Sequence, residues 1–295
     1  MQPIRPRLAR AFLYILVASW ALGAMAAQPS STSNRDYVPQ IGQEGKDVIW
    51  VPTPQSLVER MLDMAQVTEK DYVIDLGSGD GRTVISAAKR GARALGIEYN
   101  ADMVVLAKRN AEQAGVDGRA QFLQGDIFKT DFSEADVLML YLLPSLNLKL
   151  RPTILKMRPG TRVVSHAFTM DDWPPDETAT VEHRNAYLWI VPARVEGTWQ
   201  FTLSGDPKSA NELVLRQRFQ RAEGLVTING KTGQVRNAKL HGPEFSFTVF
   251  EPTNREPLRY EFNGRVTGDT MEGIVRLPGG EQTWKASRVG SAAKS

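Results

Sequence analysis

The 295-residue chain contains no cysteine and only three histidines, His166, His183 and His241. The first absence excludes disulfide frameworks, thiolate metal sites and cysteine nucleophiles, and three scattered histidines do not make a zinc site. Positive charge is also scarcer than the formal net charge of +3 suggests. Arg5, Arg7 and Arg10 lie in a short leader with no acidic residue; taking these three from the 36 basic residues leaves 33, against 33 acidic ones. A nucleic-acid footprint requires clustered positive charge, so no nucleic-acid partner is expected. What is present is ordinary for a packed protein: 42% hydrophobic and 23% charged residues, in a length that accommodates two domains.

The leader has a recognisable layout. After the three arginines, Ala11 to Ala27 is an uncharged, mostly apolar run of 17 residues; Ala24-Met25-Ala26 supplies a small-x-small site, and the polar stretch Gln28 to Asn34 follows. This predicts a cleaved signal peptide over 1–26, a linker over 27–47, and an exported, periplasmic protein. The alternative is an uncleaved leader that associates with the membrane, because the run approaches spanning length.

From about Val51 to Pro192, helical and strand patterns alternate. Ser56 to Ala65 carries Leu57, Met61 and Met64 at helical spacing, Val73 to Leu76 is a short apolar run ending in glycines, and Thr83 to Lys89 reads as the next helix. Ala94 to Glu98 reads as a strand, Ala101 to Ala114 as a helix stopped by Gly115, and Phe122-Leu123, Val137 to Leu140 and Arg162 to Ala167 as further strands. Such alternation predicts an α/β fold with a doubly wound, mostly parallel sheet, over 48–193.

Beyond Ala193 the period changes to two. Alternating segments recur at Asn211 to Gln220, Leu225 to Ile228, Ala238 to Leu240, Phe245 to Phe250, Tyr260 to Phe262 and Met271 to Val275, with turn signals at Asn229-Gly230, Gly242-Pro243, Asn263-Gly264 and Gly268-Asp269. About seven strands of this kind predict a small antiparallel barrel or sandwich over 194–289, with Trp199 and Trp284 near its two ends and able to meet in its core, and a disordered tail over 290–295.

Chemistry concentrates after the first strand, in Asp75-Leu76-Gly77-Ser78-Gly79-Asp80-Gly81-Arg82. Glycines here let a ligand lie against main-chain N–H groups. Arg82 occupies the third small position of the dinucleotide fingerprint, and the lysine of a triphosphate loop is absent, so both of those readings fail. An aspartate two residues before the first glycine repels phosphate and suits a ligand with an amino group. Glu98, 21 residues after Gly77, ends the second strand where an acid accepts from both ribose hydroxyls. Asp126, at a later strand end, is placed to read an adenine amino group. Three acids around a glycine loop describe an unphosphorylated nucleoside with a cationic end, and S-adenosyl-L-methionine fits.

These segments resemble a class I S-adenosylmethionine-dependent methyltransferase. More narrowly, Trp50-Val51-Pro52-Thr53-Pro54, Asp75 to Arg82, Ala94 to Asn100 and Phe168 to Pro174 resemble the branch that includes the mitochondrial lysine methyltransferases of the ATP synthase c subunit and the adenine nucleotide carrier, with bacterial relatives. The resemblance spans about 48–178. It implies that the Val51 to Pro54 segment packs over the cofactor as a lid, and that Asp75, Gly77, Gly79, Glu98 and Asp126 contact the cofactor. Thr53 of the lid, with Ser78, Gly81 and Ile127 beside these residues, completes the expected cofactor set.

Methyl transfer from a sulfonium is an in-line displacement, which needs alignment and exclusion of water more than an acid. A lysine acceptor, with a reference pKa near 10.4, is neutral in only about one molecule in 2,500 at pH 7, so the site must depress that value or take the proton. Tyr141, Asn147, His166 and Trp173 are the candidates on the acceptor side. Tyr141 would orient an amine through its hydroxyl. Trp173 would either stack on a cation or anchor a turn, and His166 would be either a base or a hydrogen-bonded structural residue. The function expected is protein-lysine N-methylation, with a protein acceptor; a small-molecule N- or O-acceptor and a non-catalytic binding or scaffold module are the alternatives.

Overall fold

The computed structural model describes residues 37–251 and 257–290. The expected signal peptide and its cleavage site lie outside the described residues, as do the first part of the linker and the last residues of the tail.

Five short apolar runs form a parallel sheet: β1 (Tyr72–Leu76), β2 (Arg93–Glu98), β3 (Ala120–Gln124), β4 (Val137–Leu140) and β5 (Arg162–His166). A hairpin of β6 (Glu177–Val181) and β7 (Arg184–Ile190) extends it, with β7 antiparallel to β5, giving the order β3-β2-β1-β4-β5-β7-β6. Four helices cover it: α1 (Gln55–Met64), α2 (Arg82–Lys89), α3 (Ala101–Gln113) and α4 (Pro144–Ile154). Alternation along each strand sends Val73, Val137, Met139 and Val164 into one core with α1, α2 and α3, and Ile74, Leu138, Leu140 and Val163 into the other with α4. The strand order reverses between β1 and β4, which opens a crevice at the carboxyl ends of those strands.

Two elements escape the sequence pattern. Helix α4 carries Pro152 inside it, a residue that ordinarily ends a helix. The β6–β7 hairpin turns on Glu182 and His183, both in left-handed conformation (φ 48° and 63°) without a glycine or asparagine to announce it.

The second half is a closed antiparallel barrel, with eight strands among the described residues: β8 (Gly197–Leu203), β9 (Asp206–Arg218), β10 (Arg221–Ile228), β11 (Lys231–His241), β12 (Glu244–Glu251), β13 (Leu258–Thr267), β14 (Thr270–Leu277) and β15 (Gly280–Arg288). Each pairs with the next, and β15 returns to β8, so the barrel alternative holds rather than the sandwich. Eight strands leave an interior just wide enough for side chains. Here Trp284 fills it edge-on against Phe201, Phe247 and Phe262, and Trp199 belongs to the same core with the Arg288 guanidinium over its ring.

One expected turn is not a turn. Asn263-Gly264 lies within β13, where Gly264 pairs with Gly273 of β14. A Cβ at Gly264 would stand 2.6 Å from the Trp284 ring, so this glycine provides space for the indole rather than a reversal of the chain.

Candidate active site

The glycine loop leaves β1 at the crevice. Gly77, Gly79 and Gly81 all hold left-handed φ angles (85°, 53° and 84°), which L side chains rarely adopt. The Gly77 N–H donates to Ile97 C=O at 2.8 Å, fastening the loop to β2. A Cβ on Gly79 would meet Trp50 Nε1 at 2.6 Å, so the N-terminal segment crosses directly over the loop. Glu98 accepts the Gly79 N–H on one oxygen and the Asn100 N–H on the other, both at 2.9 Å. The acid that ends β2 therefore also shapes the loop that follows β1.

These residues wall a cavity of about 280 Å³. Of the expected cofactor set, Thr53, Asp75, Gly77, Ser78, Gly79, Glu98, Asp126 and Ile127 line it together. Gly81 does not. Its N–H is spent on Ser78 C=O at 2.9 Å, and a Cβ there would lie 2.7 Å from Phe122 and 2.9 Å from Ala107. Its role is to start α2 and let α3 and β3 pack closely. Ser78 places its hydroxyl in the fold rather than toward a partner: the Oγ is buried with no hydrogen bond and presses on Gly96, where a Cβ would stand at 2.4 Å.

Asp75 is nearly inaccessible, and burial, reinforced by the charge of Glu98, pushes its pKa up to about 7 despite a hydrogen bond from Thr83. Such a group favours a ligand that brings a positive charge to it. Asp126 is in the opposite state, its pKa lowered chiefly by a hydrogen bond from Lys46, whose Nζ stands 2.7 Å from Oδ2. Lys46, Trp50 and Phe168 also line the cavity, outside the set expected from sequence. Trp50 and Phe168 begin segments quoted for their resemblance, whereas Lys46 carries no signal that local sequence could supply. Residues from Gln43 to Thr53 form one wall, and Arg82 binds that wall to the loop by donating to Thr53 C=O at 3.0 Å while pairing with Asp80.

At the other end of the cavity stands Tyr141, just past β4. Its ring stacks on the His166 imidazole, with centroids 3.8 Å apart, and Phe168 lies beyond at 6.3 Å. His166 Nδ1 is 3.0 Å from Thr53 Oγ1, and burial lowers the imidazole pKa to about 4. The ring does not line the cavity and is held by Thr53 and Tyr141, so the hydrogen-bonded structural reading is the one it fits.

Two acceptor-side candidates are corrected. Asn147 is fully buried behind the wall, its amide facing Ser165 Oγ at 3.3 Å and the Phe168 and Thr169 carbonyls at 3.3 and 3.4 Å. Trp173 is also fully buried, with its ring stacked on Phe219 and its Nε1 donating to Gln220 Oε1, so it anchors a turn and does not face a ligand.

The model of the ANTKMT methyltransferase domain matches residues 75–177, the stretch that contains this loop and both acids. A protein-lysine N-methyltransferase of Saccharolobus islandicus is 42% identical over 162 residues, covering 52% of this chain and 96% of that protein. The chain belongs to this methyltransferase family. It is an enzyme that uses S-adenosylmethionine as cofactor. The mouse lysine N-methyltransferase of the ATP synthase c subunit is 34% identical over 130 residues; the match spans 44% of this methyltransferase and about half, 52%, of the mouse protein. A solved structure of a Salinibacter ruber protein, described as an RNA methyltransferase in complex with S-adenosyl-L-homocysteine, is 51% identical, with a TM-score of 0.48, and covers 49% of this chain and 96% of its own.

Proposed function

We propose that the methyltransferase is exported and transfers methyl groups to lysine side chains of proteins. The observation that carries this reading is the two-ended cavity: the buried Asp75, the half-buried Glu98 and Asp126 and bare main chain at one end, an aromatic wall at the other. Asp75, held ready to ionise, would take the ammonium group of the cofactor. Glu98 would accept from ribose hydroxyls on the lone pairs its backbone partners leave free, and Asp126 with Ile127 would hold the adenine edge and face. When bound, S-adenosylmethionine supplies an electrophilic methyl group for in-line displacement.

The chain's own residues then prepare the acceptor. Tyr141, Phe168, Leu142 and Leu143 line the far end, and burial among them disfavours an ammonium, which releases its proton more readily than in water. The Tyr141 hydroxyl would orient the neutral amine. The lysine named as acceptor for the Saccharolobus islandicus and mouse relatives supports this acceptor class over a small molecule. The leader, with its arginines, apolar run and Ala24-Met25-Ala26 site, supports export.

Labelled methyl transfer into a periplasmic extract, fractionated into protein, RNA and small molecules, tests the reaction. The expected result is label in protein, recovered as methyl-lysine after acid hydrolysis and lost with Glu98→Ala. Label in RNA or in a small molecule would overturn the acceptor class. Mass spectrometry of the mature N-terminus from the periplasmic fraction tests export; full-length chain retained in the cytoplasm would overturn it.

A further inference from the structure

The barrel hairpins β10–β11, β11–β12 and β13–β14 turn on Asn229-Gly230, Gly242-Pro243 and Gly268-Asp269, where asparagine or glycine takes the left-handed backbone. The β9–β10 hairpin turns instead on Phe219-Gln220, between the paired Arg218 and Arg221. Phe219 holds φ 55°, a conformation that favours glycine, yet it is a large aromatic residue. A local rule broken in this way points to another use for the side chains.

Both are spent on the methyltransferase fold. Phe219 stacks on Trp173, centroids 5.8 Å apart and nearly parallel at 15°. Gln220 accepts from Trp173 Nε1 at 3.1 Å and donates to Pro174 C=O at 2.7 Å. Beside them Arg218 pairs with Asp172 at 2.8 Å, and Asp172 also binds Arg151 of α4. The chain from Ala167 to Trp173 thus meets the barrel at its far end, while at its near end Phe168 lines the cavity beside Tyr141. Ala167 and Asp171 within it are left-handed as well (φ 64° and 57°), a backbone that persists only when its surroundings hold it.

The geometry points to the β9–β10 turn as a positioning device for the acceptor wall: Phe219 and Gln220 hold the 167–173 segment, and through it set where Phe168 stands. The barrel is then a working part of the acceptor side. This rests on the reading that the acceptor enters beside Tyr141, but its test does not require the acceptor to be lysine.

Because the chain has no cysteine, a single cysteine can be labelled cleanly. Thr169 is exposed next to Phe168, and Lys129 is exposed near Asp126 at the cofactor end. In the full chain, a nitroxide at Thr169→Cys is expected to lose its immobilised component when Phe219→Ala is added, and to regain it with Phe219→Tyr. A nitroxide at Lys129→Cys and the affinity for S-adenosyl-L-homocysteine should not change. Gln220→Ala, which opens no void in the core, gives the same readout if Phe219→Ala does not fold. An unchanged spectrum at position 169, or equal loosening at both positions, overturns the proposal. In the extract assay Phe219→Ala should transfer less label at unchanged homocysteine-ligand affinity, and equal transfer also overturns it.

Discussion

Thr53 Oγ1 lies 3.0 Å from His166 Nδ1, which ties the segment in front of α1 to the last residue of β5. The pair is buried, and the imidazole presents its face to Tyr141. The wall that crosses the cofactor end and the ring at the acceptor end are therefore joined through one hydrogen bond and one stacking contact.

That contact carries an acid sensitivity. The His166 pKa is lowered to about 4 in the folded chain, below its ordinary value of 6.5. Its contribution to stability is present above pH 6.5 and is lost as pH falls through 4, because the unfolded chain takes the proton first. Urea midpoints should fall across this window in the wild type and fall less in His166→Asn. Parallel curves would show that other groups govern acid unfolding.

Asp75 gives the opposite dependence. Its folded pKa of about 7 lies above the carboxylate value of 3.8, so the stability owed to its neutral form is complete below that value and is lost as pH rises through 7. Asp75→Asn should accordingly raise the Tm of the cofactor-free protein more at pH 8 than at pH 6. Binding of a cationic ligand needs the ionised form, so S-adenosylmethionine should bind about fivefold more tightly at pH 7 than at pH 6, a window in which its own amino group stays largely protonated. Calorimetry in buffers of different ionisation enthalpy would also detect the proton released.

Glu98→Gln keeps the side-chain size but brings an NH₂ group against one of two backbone donors, at Gly79 or Asn100. Cofactor affinity should fall by about 10- to 100-fold, the range for losing hydrogen bonds to a charged group. Because the Glu98 charge helps to raise the Asp75 pKa, the midpoint of the binding pH profile should also move to lower pH. A weaker affinity with an unmoved midpoint would separate the two carboxylates electrostatically.

In the barrel, Gly264→Ala would push a methyl group to 2.6 Å from the Trp284 ring and 2.9 Å from Glu272 C=O. The expected cost is about 1–3 kcal/mol, as for other overpacked cores. Thermal unfolding followed by near-UV circular dichroism would register it through the indole, and an unchanged Tm would mean that the ring has room to move.

Much of the sheet was legible because its strands are buried runs that end in glycines or acids, as Val73 to Leu76 and Ala94 to Glu98 are. The lining of the crevice was legible for a related reason: Asp75, Gly77, Gly79 and Glu98 lie at fixed offsets from strand ends, so spacing along the chain becomes spacing in the crevice. Gly81 sits in the same motif and reads alike, but φ and its contacts with Phe122 and Ala107 decide its role, and sequence spacing does not carry those. Lys46 was invisible for a different reason. It reaches Asp126 across 80 residues of chain, and no local period encodes that meeting. Strands β8 and β15 pair with their neighbours β9 and β14, but the pairing of β15 with β8, which closes the barrel, joins segments far apart in the chain and no local pattern announces it.

Pairing β15 with β8 has one more outcome. A sheet that joins its own first and last members has, among the described residues, no end strand whose whole edge is free, which leaves foreign β-segments little to template on there. A partner that docks on this half would then meet chiefly outward-facing side chains rather than a backbone edge.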